Sequence, residues 1–122
     1  MSVFRGAGVA LVTPFKEDKS VNFEVLERLI DAQIKGKTDA LIVCGTTGEP
    51  ATMSEQERLA VIKFAVEKAN GLIPVVAGVG SNSTDSVVSF ARRVEKTGVS
   101  GLLIVTPYYN KATQKGLYEH YA

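Results

Sequence analysis

Tryptophan is absent from the 122-residue sequence, and cysteine and histidine occur only once each. A single cysteine cannot form an internal disulfide, and one cysteine with one histidine is too few for a zinc site of the usual kind. No apolar run approaches the ~20 residues that cross a bilayer, and the N-terminus lacks the apolar stretch of a secretory signal. The formal net charge is +1 without blocks of one sign, which argues against nucleic-acid or membrane partners. The lone cysteine suits a reducing compartment, so we expect a cytoplasmic protein.

Four apolar runs alternate with four segments whose apolar residues recur at helical spacing. The predicted strands cover residues 8–12, 40–43, 73–77 and 101–105. Their starts lie roughly 30 residues apart, the size of one strand–helix–strand unit. Each following helix has a candidate N-cap: Asn22, Ser54 with Glu57 as a capping box, Ser83 or Thr84, and Thr113. Apolar strands alternating with amphipathic helices predict a parallel sheet covered by helices.

Two α/β architectures fit this pattern. One is a doubly wound, flavodoxin-like sheet, for which ~120 residues is a comfortable size. The other is the N-terminal half of a (β/α)₈ barrel, which typically needs about 250 residues. The sequence ends inside the fourth predicted helix, which favours the half barrel. We expect residues 1–122 to form one domain of four β/α units, with the last helix cut short and no second domain.

Polar side chains follow the C-terminal ends of the predicted strands. They are Thr13, Thr46, Thr47, Ser81, Asn82, Thr106, Tyr108 and Tyr109, and several glycines lie among them. Hydroxyls and exposed main-chain N–H groups at one edge of a parallel sheet suit a small anion such as a carboxylate. Paired tyrosines after a strand are often packing or interface residues, because each has an apolar body and one polar tip. We expect Tyr108 to pack and Tyr109 to take part in chemistry.

Other side chains have structural explanations. Cys44 is expected to be a small core residue, and His120 a surface residue of the last helix. Glu49 is either a hydrogen-bond acceptor behind the site or an exposed acid in a turn. No lysine lies inside a predicted strand, so the residues alone offer no strong candidate for a Schiff-base nucleophile. No phosphate-binding loop or dinucleotide fingerprint occurs, and we expect neither a metal nor another cofactor.

Three motifs at the strand ends resemble one family. They are Gly-Thr-Thr-Gly-Glu at 45–49, Ala-Gly-Val-Gly-Ser-Asn at 77–82 and Val-Thr-Pro-Tyr-Tyr-Asn at 105–110. In order and spacing they are similar to the N-terminal half of the dihydrodipicolinate synthase family, and the resemblance covers essentially the whole chain. The double threonine is specific within the wider superfamily of pyruvate-dependent aldolases, because the N-acetylneuraminate lyases usually carry Ser-Thr there.

The resemblance implies a lyase with a (β/α)₈ barrel. Such an enzyme condenses pyruvate, held as a Schiff base on a lysine, with L-aspartate 4-semialdehyde in lysine and diaminopimelate biosynthesis. By position, Thr46 resembles the hydroxyl of a catalytic proton relay, and Thr47 resembles the donor to the pyruvate carboxylate. Tyr109 is similar to the relay tyrosine that a partner subunit supplies. Tyr108 is similar to its interface neighbour, and together with Asn82 it matches the family's lysine-binding site.

The resemblance also implies a homo-oligomer: a tight dimer that becomes a dimer of dimers in the full-length parent. It places the lysine nucleophile, a second relay tyrosine and a carboxylate-binding arginine beyond Ala122. We therefore expect the 122-residue chain to be inactive by itself. Two alternatives stay open: another pyruvate-dependent aldolase, of the N-acetylneuraminate or keto-deoxy-sugar type, and a non-catalytic flavodoxin-like binding domain.

Overall fold

The computed structural model describes residues 2–122, in which four strands alternate with four helices. The strands are β1 (Gly8–Ala10), β2 (Ala40–Val43), β3 (Val75–Gly78) and β4 (Gly101–Leu103). The helices are α1 (Phe23–Lys35), α2 (Glu55–Ala69), α3 (Thr84–Glu95) and α4 (Gln114–Tyr121), and two 3₁₀ turns at Thr46–Gly48 and Pro50–Thr52 separate β2 from α2. The predicted order of elements is therefore confirmed, although β1 and β4 are shorter than their apolar runs and β3 begins and ends later.

The four strands form one parallel sheet in the order β1-β2-β3-β4. In register, Ala10 of β1 pairs with Ile42 of β2, and Ile42 pairs with Val76 of β3. Each strand thus lies beside the strand that precedes it in the chain. A flavodoxin-like sheet places β2 at the edge and β1 next to β3. The flavodoxin-like alternative is therefore wrong, and the winding is that of a barrel.

One face of the sheet packs against the helices. Successive side chains of a strand point to opposite faces, and on the helix side Leu41, Val75 and Ala77 are buried. They share a hydrophobic core with Ile30 of α1 and Ile62 of α2, neither of which is exposed at all. Burying such aliphatic side chains stabilises the fold by about 1.5–3 kcal/mol each. The helices are consequently attached to one side of the sheet.

The opposite face of the sheet is apolar but poorly covered. Ala10 and Leu103 are exposed on it, and Ile42 and Val76 are half-buried. Residues on this face point into the interior when a parallel sheet closes into a barrel. The four units therefore present the apolar face that a closed barrel would bury.

The helices begin where their caps predict. Asn22 accepts a hydrogen bond from the Val25 N–H, and Ser54 forms a complete capping box with Glu57. Of the two candidates for α3, Ser83 is the N-cap. No helix within residues 2–122 is long and apolar enough to cross a membrane.

Candidate active site

A cleft of about 510 Å³ opens at the C-terminal ends of β2, β3 and β4. Residues of the loops that follow these strands line it, together with Arg58 from α2. Among the predicted site residues, Thr46 and Tyr108 line the cleft, whereas Thr47, Asn82 and Tyr109 do not. The expected gathering of polar groups at this edge of the sheet is therefore present in part.

The threonine turn, residues 45–48, follows β2 directly. Gly45 is extended, and the chain then tightens so that the Gly48 N–H donates to the Gly45 carbonyl at 2.8 Å. The side chains of Thr46 and Thr47 are exposed, and neither hydroxyl has a hydrogen-bond partner among residues 2–122. Both hydroxyls are consequently free to donate to, or accept from, a ligand.

Thr13 corrects the expected set of ligand-binding hydroxyls. Thr13 is 5% exposed, and its hydroxyl donates to the Gly48 carbonyl at 2.7 Å. A Cβ added at Gly48 would lie 3.2 Å from the Leu11 carbonyl oxygen and 3.3 Å from Thr13 Oγ1. Thr13 therefore joins the end of β1 to the threonine turn and is not available to a ligand.

Cys44 and Gly78 lie where the ends of β2 and β3 meet. Cys44 has a positive φ of 54°, and a Cβ on Gly78 would come within 2.0 Å of the Cys44 carbonyl oxygen. Only glycine permits this approach. Burial raises the pKa of the Cys44 thiol to about 11, although the charge of Arg58 opposes the shift. The prediction that Cys44 is a core residue is confirmed, and its thiol is a poor nucleophile near neutral pH.

The two tyrosines differ in how they meet the cleft. Tyr108 is 57% exposed and lines it, whereas Tyr109 is 95% exposed and has a left-handed backbone with φ 72°. The ring of Tyr109 thus projects away from the body of its own chain. Asn82 lies nearby and is half-buried, and its side-chain amide is bonded to Asn110.

Arg58 was not predicted as a site residue. Its guanidinium carbon lies 4.1 Å from the centroid of the Phe90 ring, and Nη2 donates to the Gly78 carbonyl at 3.5 Å. Within residues 2–122 it forms no salt bridge, while Glu55 from the same turn of α2 pairs with Arg93 at 2.5 Å. Arg58 therefore gives the wall of the cleft a positive charge, and no local motif in the sequence indicates that position.

Two further expectations concern residues outside the cleft or at its rim. His120 is half-buried on α4, with Nδ1 2.8 Å from Thr84 Oγ1, so it lies at the surface of the last helix but is less exposed than expected. This contact joins α4 to the first turn of α3. Glu49 is exposed at the rim of the cleft in a left-handed conformation with φ 55°, which agrees with an acid in a turn.

In the described part of the chain, the cleft is lined by neither a group of metal ligands nor a lysine. No three histidine, cysteine, aspartate or glutamate side chains between residues 2 and 122 are grouped as metal ligands. The residues that line the cleft include no lysine. The cleft offers free hydroxyls and one guanidinium, a set that suits a carboxylate.

A parallel sheet wound in chain order, with a polar cleft at the carboxyl ends of its strands, is the arrangement of (β/α)-barrel enzymes. The model of the dihydrodipicolinate synthetase family matches residues 3–122, and the chain belongs to that family.

Relatives agree with this assignment. The 4-hydroxy-tetrahydrodipicolinate synthase of Caldicellulosiruptor saccharolyticus is 57% identical over 121 residues, which cover 99% of this chain and 41% of the relative. Synthase 1 of Clostridium acetobutylicum is 56% identical with the same coverage. The chain thus spans about two fifths of the length of the curated relatives it matches.

Solved structures give the same result for the fold. The dihydrodipicolinate synthase of Thermotoga maritima superposes with a TM-score of 0.95 at 48% identity, over 98% of this chain and 40% of that structure. The enzyme of Aquifex aeolicus gives 0.93 at 49% identity, over 97% and 40%. The four β/α units correspond to the N-terminal half of the (β/α)₈ barrel of this family.

Proposed function

We propose that the chain is the N-terminal part of a 4-hydroxy-tetrahydrodipicolinate synthase, a cytoplasmic lyase of lysine and diaminopimelate biosynthesis. The reaction condenses pyruvate, as a Schiff base on a lysine, with L-aspartate 4-semialdehyde. The observation that carries the proposal is the threonine turn, whose two free hydroxyls lie at the carboxyl end of β2 in a chain of this family. The reacting lysine belongs to the part of the relatives that this chain does not cover, and the lysine amine takes the place of a metal or organic cofactor.

Each threonine of the turn has one role in this proposal. Thr46 lines the cleft, and its hydroxyl, both donor and acceptor, passes a proton between the reacting centre and a tyrosine. Thr47 does not line the cleft formed by these residues alone, but its hydroxyl is exposed beside Thr46, and we propose that it donates to the carboxylate of pyruvate in the full-length protein. Residues 1–122 make up a single half barrel without a second domain.

Tyr109 acts in the cleft of a second subunit. Its ring is 95% exposed and lies outside the cleft of its own chain, so a neighbouring subunit is the natural recipient of its hydroxyl. The full-length protein is accordingly a tight dimer, which pairs into a dimer of dimers. Tyr108 lies at this interface and, with Asn82, matches the position of the family's lysine-binding site. Inhibition by lysine is expected to be weak or absent, because Glu55, Arg58 and Ser86 stand where lysine-sensitive members tend to have other residues.

A chimera tests the proposed function. The segment of the Caldicellulosiruptor saccharolyticus synthase that matches this chain is replaced by residues 1–122, which retains the remaining part of the relative. We expect the chimera to consume pyruvate and aspartate semialdehyde together, measured by separating both substrates from the product by chromatography. A folded chimera that consumes neither, beside an active relative, would contradict the proposal.

Thr46→Val removes the relay hydroxyl and preserves the shape of the side chain. General acid–base catalysis contributes 10²–10⁴-fold, so we expect kcat of the chimera to fall at least about 100-fold. The matched control is Thr38→Val, because Thr38 lies before β2, at the opposite end of that strand. A Thr46→Val chimera as active as the Thr38→Val chimera would remove Thr46 from the relay.

A further inference from the structure

In the tyrosine loop, residues 106–111, the Tyr109 side chain packs little against its own chain, and the backbone conformation of the loop sets its direction. Tyr109 has φ 72° and Lys111 has φ 50°, a left-handed conformation that residues with a side chain rarely adopt. The Tyr109 ring is 95% exposed, so packing within its own chain does not orient it. The position of its hydroxyl therefore depends on whatever keeps this loop in its unusual conformation.

Asn110 makes the contacts that join the tyrosine loop to its neighbour. Its Nδ2 donates to the main-chain carbonyl of Asn82 at 2.7 Å, and its Oδ1 accepts from Asn82 Nδ2 at 3.3 Å. Between residues 2 and 122, no other hydrogen bond links the tyrosine loop to another element. The orientation of the Asn110 amide is unambiguous, because a carbonyl only accepts.

The carbonyl that Asn110 contacts belongs to a fixed part of the fold. Asn82 immediately precedes Ser83, whose Oγ caps α3 by accepting from the Ser86 N–H at 3.4 Å. On the far side of the tyrosine loop, His120 of α4 contacts Thr84 in the first turn of the same helix at 2.8 Å. The start of α3 thus anchors the tyrosine loop directly and anchors the helix that follows it.

The geometry points to Asn110 as a positioning residue for Tyr109. Asn110 fixes the tyrosine loop against the start of α3, so that Tyr109 is presented in one conformation to the cleft of the partner subunit. This inference rests on the proposed function. The two asparagines should differ in their effect on kcat. Asn110→Ala removes both hydrogen bonds, whereas Asn82→Ala keeps the main-chain carbonyl of residue 82 and therefore the 2.7 Å bond.

The chimera described above measures that difference. A neutral hydrogen bond contributes about 0.5–1.5 kcal/mol, which corresponds to about 2- to 13-fold in rate. We expect kcat to fall about tenfold in Asn110→Ala and about threefold in Asn82→Ala, with KM for pyruvate unchanged in both. Asn110→Asp keeps the size of the side chain and can still accept from Asn82 Nδ2, but it cannot donate to the Asn82 carbonyl and places a carboxylate oxygen against it, so kcat should fall at least about threefold.

A double substitution separates positioning from general loss of structure. In a chimera that already carries Tyr109→Phe there is no phenol left to position, so adding Asn110→Ala should leave the remaining kcat unchanged. The matched control is Gln33→Ala, which removes a side-chain hydrogen bond to Thr38, at the N-terminal edge of the sheet, and should not alter kcat.

The rate of trypsin cleavage measures the opening of the tyrosine loop and does not depend on enzymatic activity. Lys111 lies in the tyrosine loop and Lys37 lies in the turn after α1. We expect Asn110→Ala to raise the rate of cleavage after Lys111 about tenfold and to leave cleavage after Lys37 unchanged, because local opening limits cleavage.

The outcomes distinguish two failures. An active chimera in which Asn110→Ala changes neither kcat nor cleavage, or lowers kcat equally in the Tyr109→Phe background, would overturn the positioning role alone. A folded chimera without activity would overturn the proposed function, and the role of Asn110 with it.

Discussion

Single residues determine how closely the strand ends approach each other beneath the cleft. The Cys44 carbonyl occupies the space where a side chain on Gly78 would lie, and the Thr13 hydroxyl satisfies the buried end of the threonine turn. Neither Thr13 nor Cys44 is available for chemistry. Both bring the loops to the distance at which Thr46 and Tyr108 line one cleft.

The buried thiol of Cys44 gives a prediction at the same scale. With its pKa raised to about 11 from an ordinary value of 9.0, the folded chain should react with iodoacetamide at pH 8 at least about 100-fold more slowly than the urea-unfolded chain. Alkylation followed by intact mass measures both rates. Equal rates in the two states would show that the thiol is neither buried nor shifted.

The sign of the accompanying pH dependence follows from the raised pKa. Below pH 9 both states keep the thiol proton, and the contribution to stability is fully present. Between pH 9 and about 11 the unfolded chain loses that proton while the folded chain retains it. The free energy of unfolding should therefore fall as the pH rises through that window.

The sequence predicts some site residues and not others for a physical reason. Thr46 and Tyr108 lie in the loops that follow β2 and β4, so a parallel sheet alone brings them to one edge. Asn110 and Arg58 act through contacts with Asn82 and Phe90, which lie 28 and 32 positions away in the chain. Such contacts depend on how loops and helices pack, and no local pattern encodes them.

Helix α2 shows how a local motif sets the start of an element. Ser54 Oγ accepts from the Glu57 N–H at 3.2 Å, and the Glu57 carboxylate accepts from the Ser54 N–H at 2.8 Å. Hydrogen bonds to Ser54 lower the pKa of Glu57. The contribution of this carboxylate to stability is therefore present above the pKa of the unfolded chain and is lost as the pH falls through the lower, folded value.

Ser54→Ala should reduce the free energy of unfolding by about 1 kcal/mol, because it leaves N–H groups of the first turn without an acceptor. Urea unfolding followed by circular dichroism measures the change. Ser89→Ala is the matched control: Ser89 lies on the exposed face of α3, and we expect an effect within about 0.5 kcal/mol. Equal effects of the two substitutions would mean that the capping box does not stabilise α2.

The order and type of the elements can be predicted because local sequence patterns indicate them. The lengths of the strands are harder to predict. Apolar runs and capping residues indicate which element follows which. The runs at 8–12 and 101–105 are longer than β1 and β4, and the last residues of the two runs, Val12 and Val105, lie outside the strands and are exposed. Pairing with a neighbouring strand, rather than hydrophobicity, decides where a strand ends.

The molecule as a whole presents an unfinished sheet. Both outer strands, β1 and β4, pair on one side only within residues 2–122, and the face that carries Ala10 and Leu103 is apolar and exposed. Unpaired edges and exposed apolar faces favour association. Both features agree with membership of a family of (β/α)₈ barrels, in which a closed ring of strands has no open edge and buries its inner face.

We propose that residues 1–122 carry the binding hydroxyls of the site and not its nucleophile. Reduction with borohydride in the presence of pyruvate traps a Schiff base covalently, and the intact mass then reports the adduct. We expect no adduct on the 122-residue chain and one reduced pyruvate per subunit on the chimera under the same conditions. A stoichiometric adduct on the 122-residue chain would contradict this proposal, because a lysine within these residues would then perform the chemistry.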